Sequence, residues 1–498
     1  MIVQRFYDTR LAQASYLIGC ARTGEAIVID PNRDAEQYVR AATREGVRVS
    51  HVTETHIHAD FVSGTRELAA RTGATPYLSD AGDAGWKYAF ARDDGAVLLR
   101  DGDTIRVGNV VLETMHTPGH TPEHVSFLVT DTAAADEPIA VVTGDFVFVG
   151  DVGRPDLLEK AAGIAGTMED AAHTLWASLQ RFARLPDWVQ VWPGHGAGSA
   201  CGKGLSAVPH STVGYERRFN WAFQVQDEAE FVRSVLAGQP ESPRYFARMK
   251  EVNKAGPRVL GGFARPARLA DTALAGALDA KAVVVDTRAT AAYAAAHVPG
   301  TINLPLGRNF TTYAGTLLPY DQDVMLVVEH ERAAADAVRE LALIGVERVA
   351  GWWDARVIEA WRASGRALAT VAQVDAGELA RRMEAGDVAV VDVRGRAEWD
   401  AGHLPGVRNV PLGALADHLA ELPRDRALVL HCQGGGRSAI AASVLAAQGF
   451  DNVVNLAGGF TAWERDGLPV AREGAETGAP ATGRAARGSR RRRRRAAR

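Results

Sequence analysis

A chain of 498 residues is too long for one hydrophobic core, and at roughly 100 to 200 residues per domain it predicts about three domains. With 47% hydrophobic residues, 23% charged residues and a net charge of −4, the composition is that of a soluble globular protein, and the charge by itself names no partner. Three scattered cysteines, Cys20, Cys201 and Cys432, exclude a disulfide framework and favour a reducing compartment. No stretch approaches the ~18 apolar residues of a membrane helix, and Arg5, Asp8 and Arg10 interrupt the beginning where a signal peptide needs an apolar core. The expected location is cytoplasmic, with no membrane partner.

In chain order, EAIVID (Glu25 to Asp30) predicts a buried strand closed by Pro31, and Ala35 to Glu45 a helix. Val47 to Val52 predicts a strand that runs into THIHADFVSG, Thr55 to Gly64, with two imidazoles and a carboxylate within five residues. Gly64 to Arg71 reads as a helix, Asp103 to Met115 as a hairpin turning at Gly108 and Asn109, and His124 to Val129 and Ile139 to Val142 as short strands. Thr167 to Leu185 is an amphipathic helix, and Val189 to Trp192 a strand opening into the glycine-rich loop PGHGAGSACGKG. Two sets of strands with helices between them predict a layered αβ sandwich.

Pro240, Pro243, Pro257 and Pro266 mark a linker, which sets domains at 1–240, 241–370 and 371–473. Beyond the linker the chain repeats itself: Val283 to Leu306 has a second copy in Val388 to Leu412, and Asp286, His297 and Asn303 recur 106 residues later as Asp392, His403 and Asn409. Each copy continues as strand, alanine-rich helix and glycine, the alternation of a parallel sheet wrapped by helices. In the second copy the strand ends in HCQGGGRS; in the first the same place reads VVEHERAA, without cysteine or glycine. Residues 474–498 are expected to be disordered. From Ala471 onward ten arginines face two glutamates, a tail of +8 that leaves −12 on the rest. A weak contact of that tail is the one expected approach to nucleic acid.

Three further pieces of the first domain place a ligand type beside glycine or proline at a strand end: HTPGH (His116 to His120), TGD (Thr143 to Asp145) and PGH (Pro193 to His195). With HxHxD they resemble the metallo-β-lactamase fold, in particular its glyoxalase II and persulfide dioxygenase branch. Hydrolytic members usually have another histidine directly after the motif, for a second metal; here that position is Phe61. An aromatic ring cannot ligate, so a two-metal hydrolytic clamp would be incomplete. The resemblance implies a mononuclear Fe(II) site, one per chain, held by His56, His120 and Asp145, with zinc as the alternative. His58, Asp60 and His195 become orienting residues, with direct ligation left open as the alternative for each of them. Arg154, in FVGDVGRPDL, pairs with a carboxylate or faces developing sulfite charge. Cys201 is either a persulfide carrier near the metal or a plain loop thiol, and Cys20 a buried structural thiol.

The second repeat, with DVR, Trp399, GHLPGVRNVPL and LAGGFTAW, resembles a rhodanese, with Cys432 as sulfur carrier and Arg437 opening the next helix. The loop formed by Gln433, Gly434, Gly435, Gly436 and Ser438 can aim N–H groups at an anionic sulfur. Four residues separate Cys432 from Arg437, as in sulfur-transferring rhodaneses; related phosphatase loops have one more. Gln433 departs from the basic residue many rhodaneses carry there. The expected fold is therefore an αββα metallo-β-lactamase sandwich followed by two rhodanese-like α/β domains with parallel sheets, the first lacking the cysteine. The resemblance implies oxidation of a low-molecular-weight thiol persulfide by O2 to sulfite, and sulfur transfer through Cys432 between persulfide and sulfite or thiosulfate, in a homo-oligomer. A zinc thioester hydrolase of glyoxalase II type and a non-catalytic persulfide sensor or carrier remain as alternatives.

Overall fold

A computed structural model describes residues 1–157, 159 and 166–472; the tail expectation lies outside them. The first sheet orders its strands as Ile2–Asp8, Gln13–Cys20, Glu25–Ile29, Arg48–Thr53, Thr75–Ser79 and Val97–Leu99. The second runs Ser211–Thr212, Gln190–Pro193, Ala140–Gly144, Val125–Asp131, Val110–His116 and Thr104–Val107. Because side chains alternate along a strand, Tyr16 and Ile18 point inward to meet Leu112, Phe127 and Val142 of the facing sheet. Their neighbour Leu17 points outward into a layer with Tyr38 and Ala41 of the helix Ala35–Arg44. On the other outer face Leu175 and Phe182 of the helix Met168–Phe182 pack with Phe231. Helix, sheet, sheet and helix thus stack as expected, and the predicted hairpin turns at Gly108, whose φ of 58° suits glycine.

The two repeats form separate sheets of four and five strands. The strands flanking Val283–Asp286 and Val388–Asp392 are all parallel to them. The offset of 106 residues has a structural meaning in both. Asp286 and Asp392 each grip an arginine two residues on, Arg288 and Arg394. Asn303 donates to the carbonyls of Asp286 and Arg288, as Asn409 does to those of Asp392 and Arg394. His297 stacks on Tyr293 at 3.9 Å between centroids, and His403 on Trp399 at 3.7 Å. These repeated residues build the scaffold.

The cysteine-less repeat is docked on the sandwich. Val62 N–H donates to the Leu343 carbonyl at 2.7 Å. Arg339 pairs with Asp8 and Asp34, and Arg33, itself buried, with Glu347. Helix Tyr245–Ala255 lies at this junction: the buried Asn253 donates to the carbonyls of His58 and Phe61 and accepts from the Ser63 N–H. Asn253→Ala leaves three buried backbone groups without partners, and should lower stability by about 3 kcal/mol, measured as a downward shift of the thermal unfolding midpoint. An unshifted midpoint would show that this clamp carries no stability.

Phe61 shares this junction. It is fully buried in one apolar cluster with Phe246, Met249, Leu343 and Ile344, so the position after HxHxD faces a domain interface. Among the described residues no helix is long and apolar enough to cross a membrane.

Candidate metal centre and sulfur loop

The strand Arg48–Thr53 ends below the HxHxD turn, and Ala140–Gly144 ends at Asp145, so two sheets deliver their ligand types to one point. One donor atom from each of His56, His120 and Asp145 lies within 4.8 Å of the others. All three side chains are buried, with His56 Nε2 3.9 Å and His120 Nε2 3.6 Å from Asp145 Oδ2. Neither carboxylate oxygen of Asp145 has a hydrogen-bond partner. A buried charge left bare is costly unless a cation or donor meets it, so this donor set fits a metal ion.

The imidazoles are pre-oriented. Thr55 Oγ1 donates to Asp30 Oδ2 and therefore accepts from His56 Nδ1 at 2.9 Å, leaving Nε2 of His56 free. His120 Nδ1 donates to the Arg154 carbonyl at 3.0 Å, again freeing Nε2. Such partners fix tautomer and ring direction in metal sites. Burial, and then the crowding of His58, His120 and His124, holds His56 well below the usual histidine range; burial also lowers His120. Both shifts favour the neutral ring, the state that ligates. Asp30 adopts a left-handed φ of 52° and aims its carboxylate at Thr55 N–H, Thr55 Oγ1 and His58 Nε2.

His58 is occupied by that contact at 3.1 Å, and its ring packs on Phe61 with centroids 4.5 Å apart. Its Nδ1 is buried without a partner. Asp60, His195 and Cys201 form a second cluster with the same 4.8 Å compactness. His195 donates from Nδ1 to the Ala12 carbonyl and turns Nε2 toward Asp60 at 3.4 Å and Asp145 at 3.3 Å. Cys201 is buried beside them, and burial with the charges of Asp145 and Asp60 pushes its thiol well above the usual range. Of the two readings of Arg154, the pair with a carboxylate is the one seen. It is fully buried, chelates Asp156 at 2.7 Å through two nitrogens and donates to the Ala200 carbonyl. Its charge is committed inside the fold and is not presented to a developing anion.

Two neighbours escaped the sequence reading. His124 accepts the Asp145 N–H at Nε2, steadying the loop that carries the carboxylate. Glu123 accepts the Ile57 N–H, and burial raises its carboxyl to about 7. The spacing of His124, four residues beyond His120, was the available signal.

In the second repeat, strand Ala427–His431 delivers Cys432 to a loop entering helix Gly436–Ala447. Cys432 is buried; its Sγ accepts from Gly435 N–H at 3.2 Å and from Ser438 Oγ at 3.5 Å. Gly435 needs its φ of 90° to turn that N–H inward. Gly459 comes so close that a Cβ there would lie 2.2 Å from the Cys432 carbonyl, which explains the second glycine of LAGGF. Arg437 is held by Glu398 through two contacts of 2.6 Å. Gln433 accepts from Arg394 and donates to Thr461, spanning the loop. Cys20, also buried, ends the strand Gln13–Cys20 and accepts the Asn109 N–H at 3.3 Å, a contact that helps lower its thiol to about 7.

Residues 8–195 match the model of the metallo-beta-lactamase superfamily, and residues 270–359 and 375–466 that of the rhodanese-like domain. A solved metallo-beta-lactamase from Staphylococcus aureus subsp. aureus COL is 41% identical with a TM-score of 0.64, covering 71% of this chain and 99% of its own. Hydroxyacylglutathione hydrolase of Methylococcus capsulatus is 29% identical over 47% of this chain and 85% of its own. Mitochondrial persulfide dioxygenase of Bos taurus is 28% identical over 47% of this chain and 80% of its own.

Proposed function

Since this chain belongs to the metallo-beta-lactamase superfamily and carries two rhodanese-like domains behind that fold, we propose that it oxidises a low-molecular-weight thiol persulfide to sulfite with O2 and transfers sulfane sulfur through Cys432. The observation that carries this reading is the buried His56, His120 and Asp145 set, beside a Phe61 that cannot ligate. Two histidines and one carboxylate on one face suit Fe(II), which when bound would offer open positions to dioxygen and to a substrate sulfur.

The chain's own residues then divide the work. Thr55 and the Arg154 carbonyl hold the imidazoles with Nε2 inward. Phe61 and Phe148, both fully buried, keep water from the interior side. Thr55→Ala removes the link from His56 to Asp30 and should weaken metal binding about 10- to 100-fold, as loss of an outer hydrogen bond does in other metal sites. A metal titration checks it; unchanged affinity would remove Thr55 from the site.

The two reactions balance separately. At the first site RS–SH + O2 + H2O gives RSH + SO3²⁻ + 2H⁺. At the second, Cys432–S⁻ takes sulfur from RS–SH, releasing RS⁻ and gaining a persulfide. Attack by sulfite then yields thiosulfate and restores the thiolate. The Gly435 N–H and Ser438 hydroxyl face the sulfur that carries the charge.

Oxygen uptake by iron-loaded protein given glutathione persulfide tests the reading, and no uptake would sink it. One observation favours a second reading. The compact Asp60, His195 and Cys201 group could receive a second ion in spite of Phe61, which suits a two-metal thioester hydrolase. Elemental analysis separates them: one iron per chain supports oxidation, and two zinc ions with oxygen-independent cleavage of S-lactoylglutathione supports hydrolysis.

A further inference from the structure

A cleft of about 930 Å³ lies where all three domains meet. Its lining includes Asp60 and Ala200, the neighbour of Cys201, together with Glu398 and Arg437, the ion pair that involves the residue opening the helix after the Cys432 loop. Thr312, Tyr313 and Thr316 of the helix Phe310–Leu317 face it from the repeat that has no cysteine. The spacing of these residues puts them on one helical face. Tyr313 is half-buried, and desolvation raises its phenol above the usual range, with Arg437 and Cys432 among the charges that reach it. The cysteine-less repeat therefore supplies a wall to the sulfur-transfer site of its twin.

We propose that the metal centre and the Cys432 loop open into this one cleft, and that sulfite formed at the first is captured by the Cys432 persulfide before it mixes with bulk solvent. This rests on the reading of the two sites given above. One molecule confined to 930 Å³ is at on the order of 1 M, so capture within the cleft outruns capture of dilute external sulfite. Capture is Cys432–S–S⁻ + SO3²⁻ → Cys432–S⁻ + S2O3²⁻: the terminal sulfur passes to sulfite, the Cys432 S–S bond breaks, and its electron pair stays on Cys432.

The test gives iron-loaded, full-length protein a thiol persulfide carrying a heavy sulfane sulfur, with a tenfold excess of unlabelled sulfite over the sulfite formed, and reads early thiosulfate by mass. Handover within the cleft predicts that most thiosulfate carries label in both sulfurs, whereas free mixing predicts about a tenth; the mixing value overturns the proposal. Oxygen uptake and total thiosulfate are recorded in the same run, and their absence would count against the underlying reading of the sites instead. A second measurement needs no metal. In metal-free protein, Thr316→Trp should slow alkylation of Cys432 by a bulky maleimide at least severalfold more than alkylation by iodoacetamide, read on the Cys432 peptide. Equal effects on both reagents would show that Cys432 is reached by another route, and would overturn the proposal.

Discussion

His120→Ala should stop persulfide-dependent oxygen uptake and lower bound metal well below one per chain, while thiosulfate cleavage through Cys432 persists. His120 has its Nδ1 tied to a main-chain carbonyl, Arg154 O at 3.0 Å, so its Nε2 is aimed by the backbone itself, whereas His56 is held by a side chain, Thr55. Removing His120 leaves His56 and Asp145 as a two-donor site. Disturbing even an outer partner of a ligand costs 10- to 100-fold in metal affinity or activity, so losing the ligand should cost at least about 100-fold. The buried carboxylate then loses the metal as counter-charge and keeps His195, 3.3 Å away, as its cationic neighbour. Oxygen electrode traces and elemental analysis of the same sample check the prediction. Full activity with full metal occupancy would exclude His120 from the centre.

How far the site could be read beforehand follows from how local each feature is. HxHxD, PGH and TGD were legible because each lies at the end of its own strand, where a single segment fixes the direction of a side chain. The repeat was legible because Asp286, Asn303 and their twins serve the same backbone contacts in both copies. Phe61 was visible as a non-ligand, but its reason was not. It is held by Asn253, Met249 and Leu343, which are some 190 to 280 residues away in sequence, and only tertiary packing brings them together. Arg154 shows the converse. Its charge invited an anion, yet a carboxylate two residues on, Asp156, satisfied it locally. The position of Cys201 beside Asp60 and His195 depends on the path of a glycine-rich loop, which no periodicity encodes. The cleft is the extreme case, since its walls come from the sandwich, the linker and both repeats.

Cys432→Ser should abolish thiosulfate formation and leave sulfite to accumulate, with oxygen uptake retained. The serine keeps the size of the side chain, and the loop is braced independently of the sulfur: Phe460 N–H donates to the Cys432 carbonyl, Thr461 N–H to the Gln433 carbonyl, and Gly459 packs against both. The fold of the loop should therefore survive. What is lost is the thiolate, because a hydroxyl is not ionised at neutral pH and cannot form a persulfide. Loss of a covalent nucleophile typically costs more than about 10³-fold in turnover, so cyanide-dependent cleavage of thiosulfate should fall to background. Because Cys432 Sγ receives two donors, Gly435 N–H and Ser438 Oγ, Ser438→Ala should retain measurable transfer where Cys432→Ser does not. Were the Cys432→Ser protein still to produce thiosulfate at the original rate, sulfur transfer would have to be assigned to Cys20 or Cys201, the two other free thiols of the chain.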